Sequence, residues 1–304
     1  MRIGLRRSRV VVLVVEASGD VVYYPGCLAL NVYPGISKTS IELLKLLGVK
    51  PRLPTSVLCC GLPIHLSGVA KGEHVDAMSC FNVAKLMGNP DYVVVPCNGC
   101  YLTLKKALSS EEFKVKCAVK SKCVHIAELI WANRWKLAEL AKRDLSGLKV
   151  AIHVGCHYTH AFQDSIKGED GEDLLEDIAL AFNAQVVDYE ERHSCCGAPA
   201  VKWVGSILLE LSQVKMVSVL NSDADVLLTM CPACMLTFDK TQYELKQLEE
   251  VERMIPVLHV SQFVALALGL DPKKTCGLHL HLANPNNTST ALNDLIGWPP
   301  QEEL

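Results

Sequence analysis

Ten of the fourteen cysteines in this 304-residue chain fall into two sets of five that keep the same order. Cys27 is followed by 31 residues, the adjacent pair Cys59 and Cys60, 36 further residues, and then Cys97 and Cys100 as C-x-x-C. Cys156 is followed by 38 residues, Cys195 and Cys196, 34 residues, and Cys231 and Cys234. Flanking residues agree: "PGC" answers "VGC", "CCGLP" answers "CCGAP", and "YVVVPCNGC" answers "VLLTMCPAC". His125 and His259 each lie 25 residues beyond the last cysteine of their set, so the offset of 134 continues past the motif. A repeat this long describes two similar domains packed together, not the short units of a solenoid.

Within each half the pattern is α/β. "YVVVP" and "DVLLT" are short aliphatic runs that stop just before C-x-x-C, as buried parallel strands do, and "VVYYPGC" and "KVAIHVGC" run straight into the first cysteine of each set. The predicted fold class is therefore α/β: two pseudo-symmetric repeats, each a small, mainly parallel sheet flanked by helices, with cysteine clusters at the strand ends. Carboxyl ends of strands are where an open α/β sheet receives a bound group. Helical spacing puts Ala77, Met78, Phe81 and Ala84 on one face, Val204, Leu208, Leu211 and Val214 on another, and Leu174, Leu175, Ile178 and Phe182 on a third. All three stripes read as core. A helix-rich bridge including "IAELIWANRWKLAELAKR" closes the first half, with a boundary near Gly147. The expected domains are an extension at 1–20, a first domain at 21–147, a second at 148–280 and a tail at 281–304.

The formal net charge of -3 and scattered Lys and Arg exclude a nucleic-acid surface. The apolar run at 10–15 is shorter than the roughly 7 to 15 residues of a signal peptide core and far below the about 20 of a membrane span. The reading is of a cytoplasmic protein without a membrane span. In such a reducing setting cysteines serve metal ligation or redox chemistry more readily than structural disulfides. A tetrahedral zinc takes four ligands where each half offers five, and adjacent cysteines point apart in extended backbone. A disulfide within Cys59–Cys60 or Cys195–Cys196 closes a strained ring, and thiols that serve only as small core groups have no reason to repeat in register. An iron–sulfur cluster is large enough to be reached from adjacent residues and distant loops. Five thiols per half leave open either an unusual cluster or a four-iron cubane with a spare redox-active cysteine. Gly26, Gly61, Gly155 and Gly197 allow backbone to approach a bulky group, and Pro232 suits the first turn of a helix after Cys231.

Over residues 21–280, the paired "CCG" motifs, "HVGCHYTH" and "VLHVSQFVALALGLDPKK" resemble the B-subunit family of heterodisulfide reductase. The resemblance implies two noncubane 4Fe-4S clusters, one held by Cys27, Cys59, Cys60, Cys97 and Cys100, the other by Cys156, Cys195, Cys196, Cys231 and Cys234. It also implies an oxidoreductase that reduces or forms a disulfide clamped between the clusters by paired one-electron steps, in methanogenesis or sulfur metabolism. Two equivalent sulfurs needing two electrons match two pseudo-symmetric sites. The implied partners are the other two components of such a complex, one a ferredoxin-like iron–sulfur protein and the other flavin-containing, together with a small disulfide or thiol substrate. The same family resemblance admits an alternative, an electron-transfer component of a flavin-linked lactate or glycolate dehydrogenase. Residues 1–20 depart from the family pattern, as an extra strand or as a start misplaced upstream of Val21 or Val22.

His153 and His157 flank Cys156, whereas Tyr24 and Leu28 occupy the first-half positions, so the histidines are candidates for proton delivery or substrate contact at one cluster. His193 beside Cys195 is a weaker one. His125 and His259 keep the repeat register and read as helix caps. Lys38, Arg192 and Lys202 could meet an anionic substrate, though solvated surface roles suit them as well. Among the remaining cysteines, Cys80 reads as packing, Cys117 and Cys123 as half of a separate metal site, and Cys276 with His279 and His281 as a zinc grouping.

Overall fold

The computed structural model describes residues 19–162, 172–198, 205–288 and 290–298. Two parallel sheets, one per half, form its centre. The first contains β1 (Val21–Tyr23), β2 (Tyr92–Val95) and β3 (Lys122–His125), in the order β1-β2-β3. The second contains β4 (Lys149–His153), β5 (Gln185–Val186), β6 (Val226–Thr229) and β7 (Val257–His259), in the order β5-β4-β6-β7. β1, β2 and β3 thus answer β4, β6 and β7. A lone parallel bridge, Val22 to Arg52, stands where β5 pairs with β4. Register is set by buried pairs such as Val93 with Cys123 and Val150 with Val226. β2 and β6 are buried along their whole length, which explains why they read as continuous apolar runs instead of alternating ones.

Six of the seven described strands feed a helix directly, and β5 runs into the loop that carries Cys195 and Cys196. β2 leads through Cys97 into Asn98–Ser109, and β6 through Cys231 into Pro232–Gln247, whose Pro232 lies in the first turn. β3 and β7 end on His125 and His259, which cap Ile126–Ala132 and Val260–Ala267. His125 Nδ1 accepts from Ala127 N at 3.1 Å while Glu128 accepts from His125 N at 2.7 Å; His259 and Gln262 do the same in the second half. Side chains of both sheets merge in one core, including Val93, Val124, Ile152 and Leu228.

Three expectations change. The stripe Leu174, Leu175, Ile178 and Phe182 is buried, but Phe81 is 48% exposed and Leu211 and Val214 are 42% and 56% exposed. Val204 and the side chain of Leu208 lie outside the described residues. The helix Gly72–Cys80 switches at Phe81 into a π-helix (Phe81–Leu86), rotating Asn82 and Val83 inward. On Gly205–Asn221 the buried face carries Ser212, Lys215, Met216 and Val219. The bridge is not one helix: Ile126–Ala132 and Arg134–Ala138 meet at Asn133, whose side chain donates to Leu129 O at 2.9 Å. Cys80 does more than pack, because it forms a disulfide with Cys117 where the ends of Gly72–Cys80 and Glu111–Cys117 come within 5.6 Å, Cα to Cα. That leaves Cys123, buried in β3, without Cys117 as a co-ligand.

Candidate metal centre

All ten repeat cysteines converge beyond the carboxyl ends of the two sheets. Their thiols form an unbroken chain of neighbours: Cys27, Cys59, Cys60, Cys100 and Cys97 in the first half, then Cys231, Cys234, Cys196, Cys195 and Cys156 in the second. The halves meet where Cys97 donates to Cys231. The order reads the same from either end under the pseudo-two-fold relation of the repeats.

The electrostatics repeat as well. Cys59 is held down to about 2 by hydrogen bonds from Cys27 and then Cys60, with help from the Gly61 amide. Cys195 is likewise held at about 2 by Cys156 and then Cys196, and Gly197 N lies 3.4 Å from its sulfur. The donors Cys27 and Cys156 move up, first because of those bonds and then through burial. Cys231 is pushed well down by bonds from Cys234 and Cys97. Each half therefore prepares thiolate sulfur, the form that binds metal.

Glycine makes the approach possible. Gly26 has φ +68°, and a Cβ there would stand 2.9 Å from Cys100 Sγ. Gly155 has φ +92°, and its Cβ would meet Asn98 Nδ2 at 2.8 Å and Cys234 Sγ at 3.3 Å. Asn98, inside the first C-x-x-C, donates to Val154 O at 2.7 Å, so the first motif docks on the loop that delivers Cys156. His259 reaches the other way: its Nε2 lies 2.9 Å from Pro96 O, next to Cys97.

His153 sits at the end of β4, 3% exposed, with Phe238 edge-on at 4.9 Å. Its Nε2 makes no hydrogen bond and, with Cys196 and Cys234, belongs to a set of ligand atoms all within 4.8 Å of one another. Burial keeps the imidazole neutral, lowering its pKa to about 3. Its first-half counterpart Tyr24 instead donates to Leu58 O at 2.7 Å. His157 is half-buried on Cys156–Phe162. A small cleft of about 90 Å³ opens beside the second set, lined by His153, Gly155, Cys156, Thr159, Arg192 and His193 among others. His157 is not among its lining residues.

Of the basic candidates, Arg192 lines that cleft and Lys38 lies away from it. Arg192 pairs with Glu176 at 2.9 Å and Asp188 at 3.9 Å. Lys38 donates to Lys274 O and lines a different cleft with Lys273, Lys274 and His279. Lys202 lies outside the described residues. Cys276, His279 and His281 do not converge: Cys276 and His281 are buried, with His281 against Gln262, while His279 is exposed.

Sequence reasoning missed two side chains that hold the paired cysteines. Asn82 accepts from Leu58 N at 2.8 Å and donates to Leu58 O at 3.3 Å, fixing the residue before Cys59. Lys215, fully buried, donates to the carbonyls of Glu191, Arg192 and Ser194 at 2.6, 2.9 and 2.8 Å, fixing the residues before Cys195.

Ten adjoining thiols, glycines at the points of closest approach and an unpartnered buried imidazole fit a thiolate-bound metal group in each half. Among the described residues, no helix is long and apolar enough to cross a membrane.

The chain matches the family model of the cysteine-rich domain CCG twice, over residues 21–105 and 150–239. It is 29% identical over 282 residues to the 8-methylmenaquinol:fumarate reductase membrane anchor subunit of Wolinella succinogenes, covering 86% of this chain and 95% of that one. It is 29% identical over 274 residues to the B subunit of the ferredoxin/F(420)H(2)-dependent CoB-CoM heterodisulfide reductase of Methanosarcina acetivorans, covering 82% and 89%. Lactate utilization protein A 1 of Bacillus mycoides is 25% identical over 216 residues, covering 69% and 84%. The crystal structure of a hypothetical protein from Helicobacter pylori shares the fold, with TM-score 0.62 and 14% identity over 88% of this chain and 54% of that one. With both halves matched over more than half its length, the chain belongs to the cysteine-rich CCG domain family and is related to the B subunit of heterodisulfide reductase.

Proposed function

We propose that this chain is the cytoplasmic iron–sulfur subunit of a heterodisulfide reductase-like complex, an oxidoreductase acting on a disulfide. The observation that carries the reading is the meeting of the two thiol sets at Cys97 and Cys231, which brings two repeat-related ligand sets side by side. Cys27, Cys59, Cys60, Cys97 and Cys100 would hold one 4Fe-4S cluster, and Cys156, Cys195, Cys196, Cys231 and Cys234 the other, both of the noncubane type. When bound, each cluster supplies one electron. The chain's own residues do the rest: the glycines leave room for the group, and the small cleft beside Cys156 opens onto the second set. His153, whose buried Nε2 has no hydrogen-bond partner, is the candidate for substrate contact beside Cys196 and Cys234. His157 stays on the adjoining helix as a second candidate for substrate contact. Electrons come from two partner proteins, one ferredoxin-like with iron–sulfur clusters and one bearing flavin.

A second reading is an electron-transfer component of a flavin-linked lactate or glycolate dehydrogenase. The similarity to a lactate utilization protein favours it. Anaerobic purification followed by iron and labile-sulfide assay and EPR on thiol addition separates them. About eight irons per chain and a thiol-dependent paramagnetic signal support the first reading. Iron at the same level with no response to thiols supports the second, and zinc without iron sinks both.

A further inference from the structure

The two halves agree in fold and ligands but differ in what lies beneath the paired cysteines. In the first half that place belongs to Asn82, a neutral amide. In the second it belongs to Lys215, whose side chain has no solvent exposure. Its three hydrogen bonds go to three backbone carbonyls, Glu191, Arg192 and Ser194. An ammonium has three donors and no acceptor, whereas a neutral amine has two donors and a lone pair. Three converging carbonyl oxygens therefore select the charged form. Among the described residues Lys215 makes no ion pair with a carboxylate; the nearby Glu191 carboxylate accepts instead from the Ser194 hydroxyl. Burial, the largest influence, lowers the Lys215 pKa to about 8, and the sulfurs of Cys196 and Cys234 oppose that shift most strongly. In the first half the sulfurs of Cys60 and Cys100 interact most strongly with one another and with Cys59 and Cys97.

We propose that the buried charge of Lys215 makes the centre held by Cys156, Cys195, Cys196, Cys231 and Cys234 easier to reduce than the one in the first half. The inference rests on the reading that both sets hold iron–sulfur groups. Reduction adds negative charge, and a fixed cation in a low-dielectric interior stabilises the charged product more than the starting form. The two halves are thus a graded pair: electrons settle first in the second half, beside His153 and the open cleft.

The test is an anaerobic redox titration of the reconstituted full chain, followed by EPR and paired with iron assay. The unaltered chain takes up electrons in two steps whose equilibrium constants differ at least tenfold, about 59 mV for one-electron couples. Cys27→Ala, which impairs only the first set, leaves the upper step in place. Lys215→Gln keeps two donors for the carbonyls without the charge, and it lowers the upper step by a similar factor at unchanged iron content. Lys215→Arg keeps the charge and retains most of the gap. Should Lys215→Gln fail to fold by circular dichroism, the Cys27→Ala titration still decides which half holds the upper step. Full iron with an upper step that disappears in Cys27→Ala, or that is unmoved in folded Lys215→Gln, overturns this inference alone. A chain that takes up no iron overturns the underlying reading and the inference with it, and the assay shows which of the two has failed.

Discussion

His259 Nε2 donates to the carbonyl oxygen of Pro96 at 2.9 Å, across 163 residues of sequence. Its Nδ1 accepts from Ser261 N at 3.2 Å, which fixes the proton on Nε2 and makes the cross-half bond a donor bond. One ring thus caps a helix of the second half and steadies the residue before Cys97 of the first. The carbonyl of Met230, before Cys231, is the corresponding neighbour of His125.

His259→Ala removes a cap and orphans a buried carbonyl. The expected cost is about 2–4 kcal/mol in guanidinium unfolding of the metal-free chain. In the reconstituted chain the loss of iron falls on the first set, although the altered residue lies in the second half. A deficit confined to the second set would contradict the cross-half bond.

Gly26→Ala and Gly155→Ala are expected to cost far more than their size suggests. Each combines positive φ with a Cβ closer than 3.0 Å to Cys100 Sγ or to Asn98 Nδ2. Gly48→Ala is the control, because Gly48 also has positive φ but nothing within 4 Å of the added carbon. Gly48→Ala should lose only about 1 kcal/mol from backbone strain and keep its iron. Iron assays showing equal loss in all three variants would refute the close-approach argument.

Acid should weaken the metal-free fold. Burial lowers His125 and His281 to about 3 and His259 to about 4. The unfolded chain binds these protons near the ordinary imidazole pKa of about 6.5, while the folded chain refuses them. The contribution to stability is complete above about pH 6.5 and is lost as pH falls toward about 3 to 4. Unfolding free energy measured at about pH 7.5 and about pH 5.5 should drop on acidification, and His281→Gln should reduce the slope. A flat profile would show that these rings titrate freely in the folded chain.

The Cys80–Cys117 disulfide closes a loop over a sequence separation of 37 residues. Chain-entropy bookkeeping gives it about 4 kcal/mol at most. Cys117→Ser should therefore lower the stability of the oxidised chain by up to that amount. In excess dithiothreitol the unaltered chain and the variant should unfold together; a difference that survives reduction would assign the effect to packing.

The doubled architecture was legible because cysteine spacing and short aliphatic strands obey simple periods, and β1, β2, β4 and β6 lie where their motifs put them. The weak β5 and the isolated bridge at Arg52 left no comparable pattern, being two residues and one. Misreading of the two helical stripes had a physical source. Their inward faces carry Asn82 and Lys215, which binary patterning assigns to solvent, while Phe81, Leu211 and Val214 lie outward. The residues that brace the paired cysteines were hidden by the same polarity that lets them bond backbone carbonyls. Likewise, the disulfide depends on two helix ends meeting, which spacing alone does not encode.

The run of ten sulfurs is graded in exposure: Cys27 is exposed, Cys59, Cys97, Cys156 and Cys195 are partly so, and Cys60, Cys100, Cys196, Cys231 and Cys234 are buried. An alkylating reagent added to the metal-free chain should therefore mark Cys27 first and the five buried sulfurs last, so the order of labelling reads out how deeply each cysteine of the run is set.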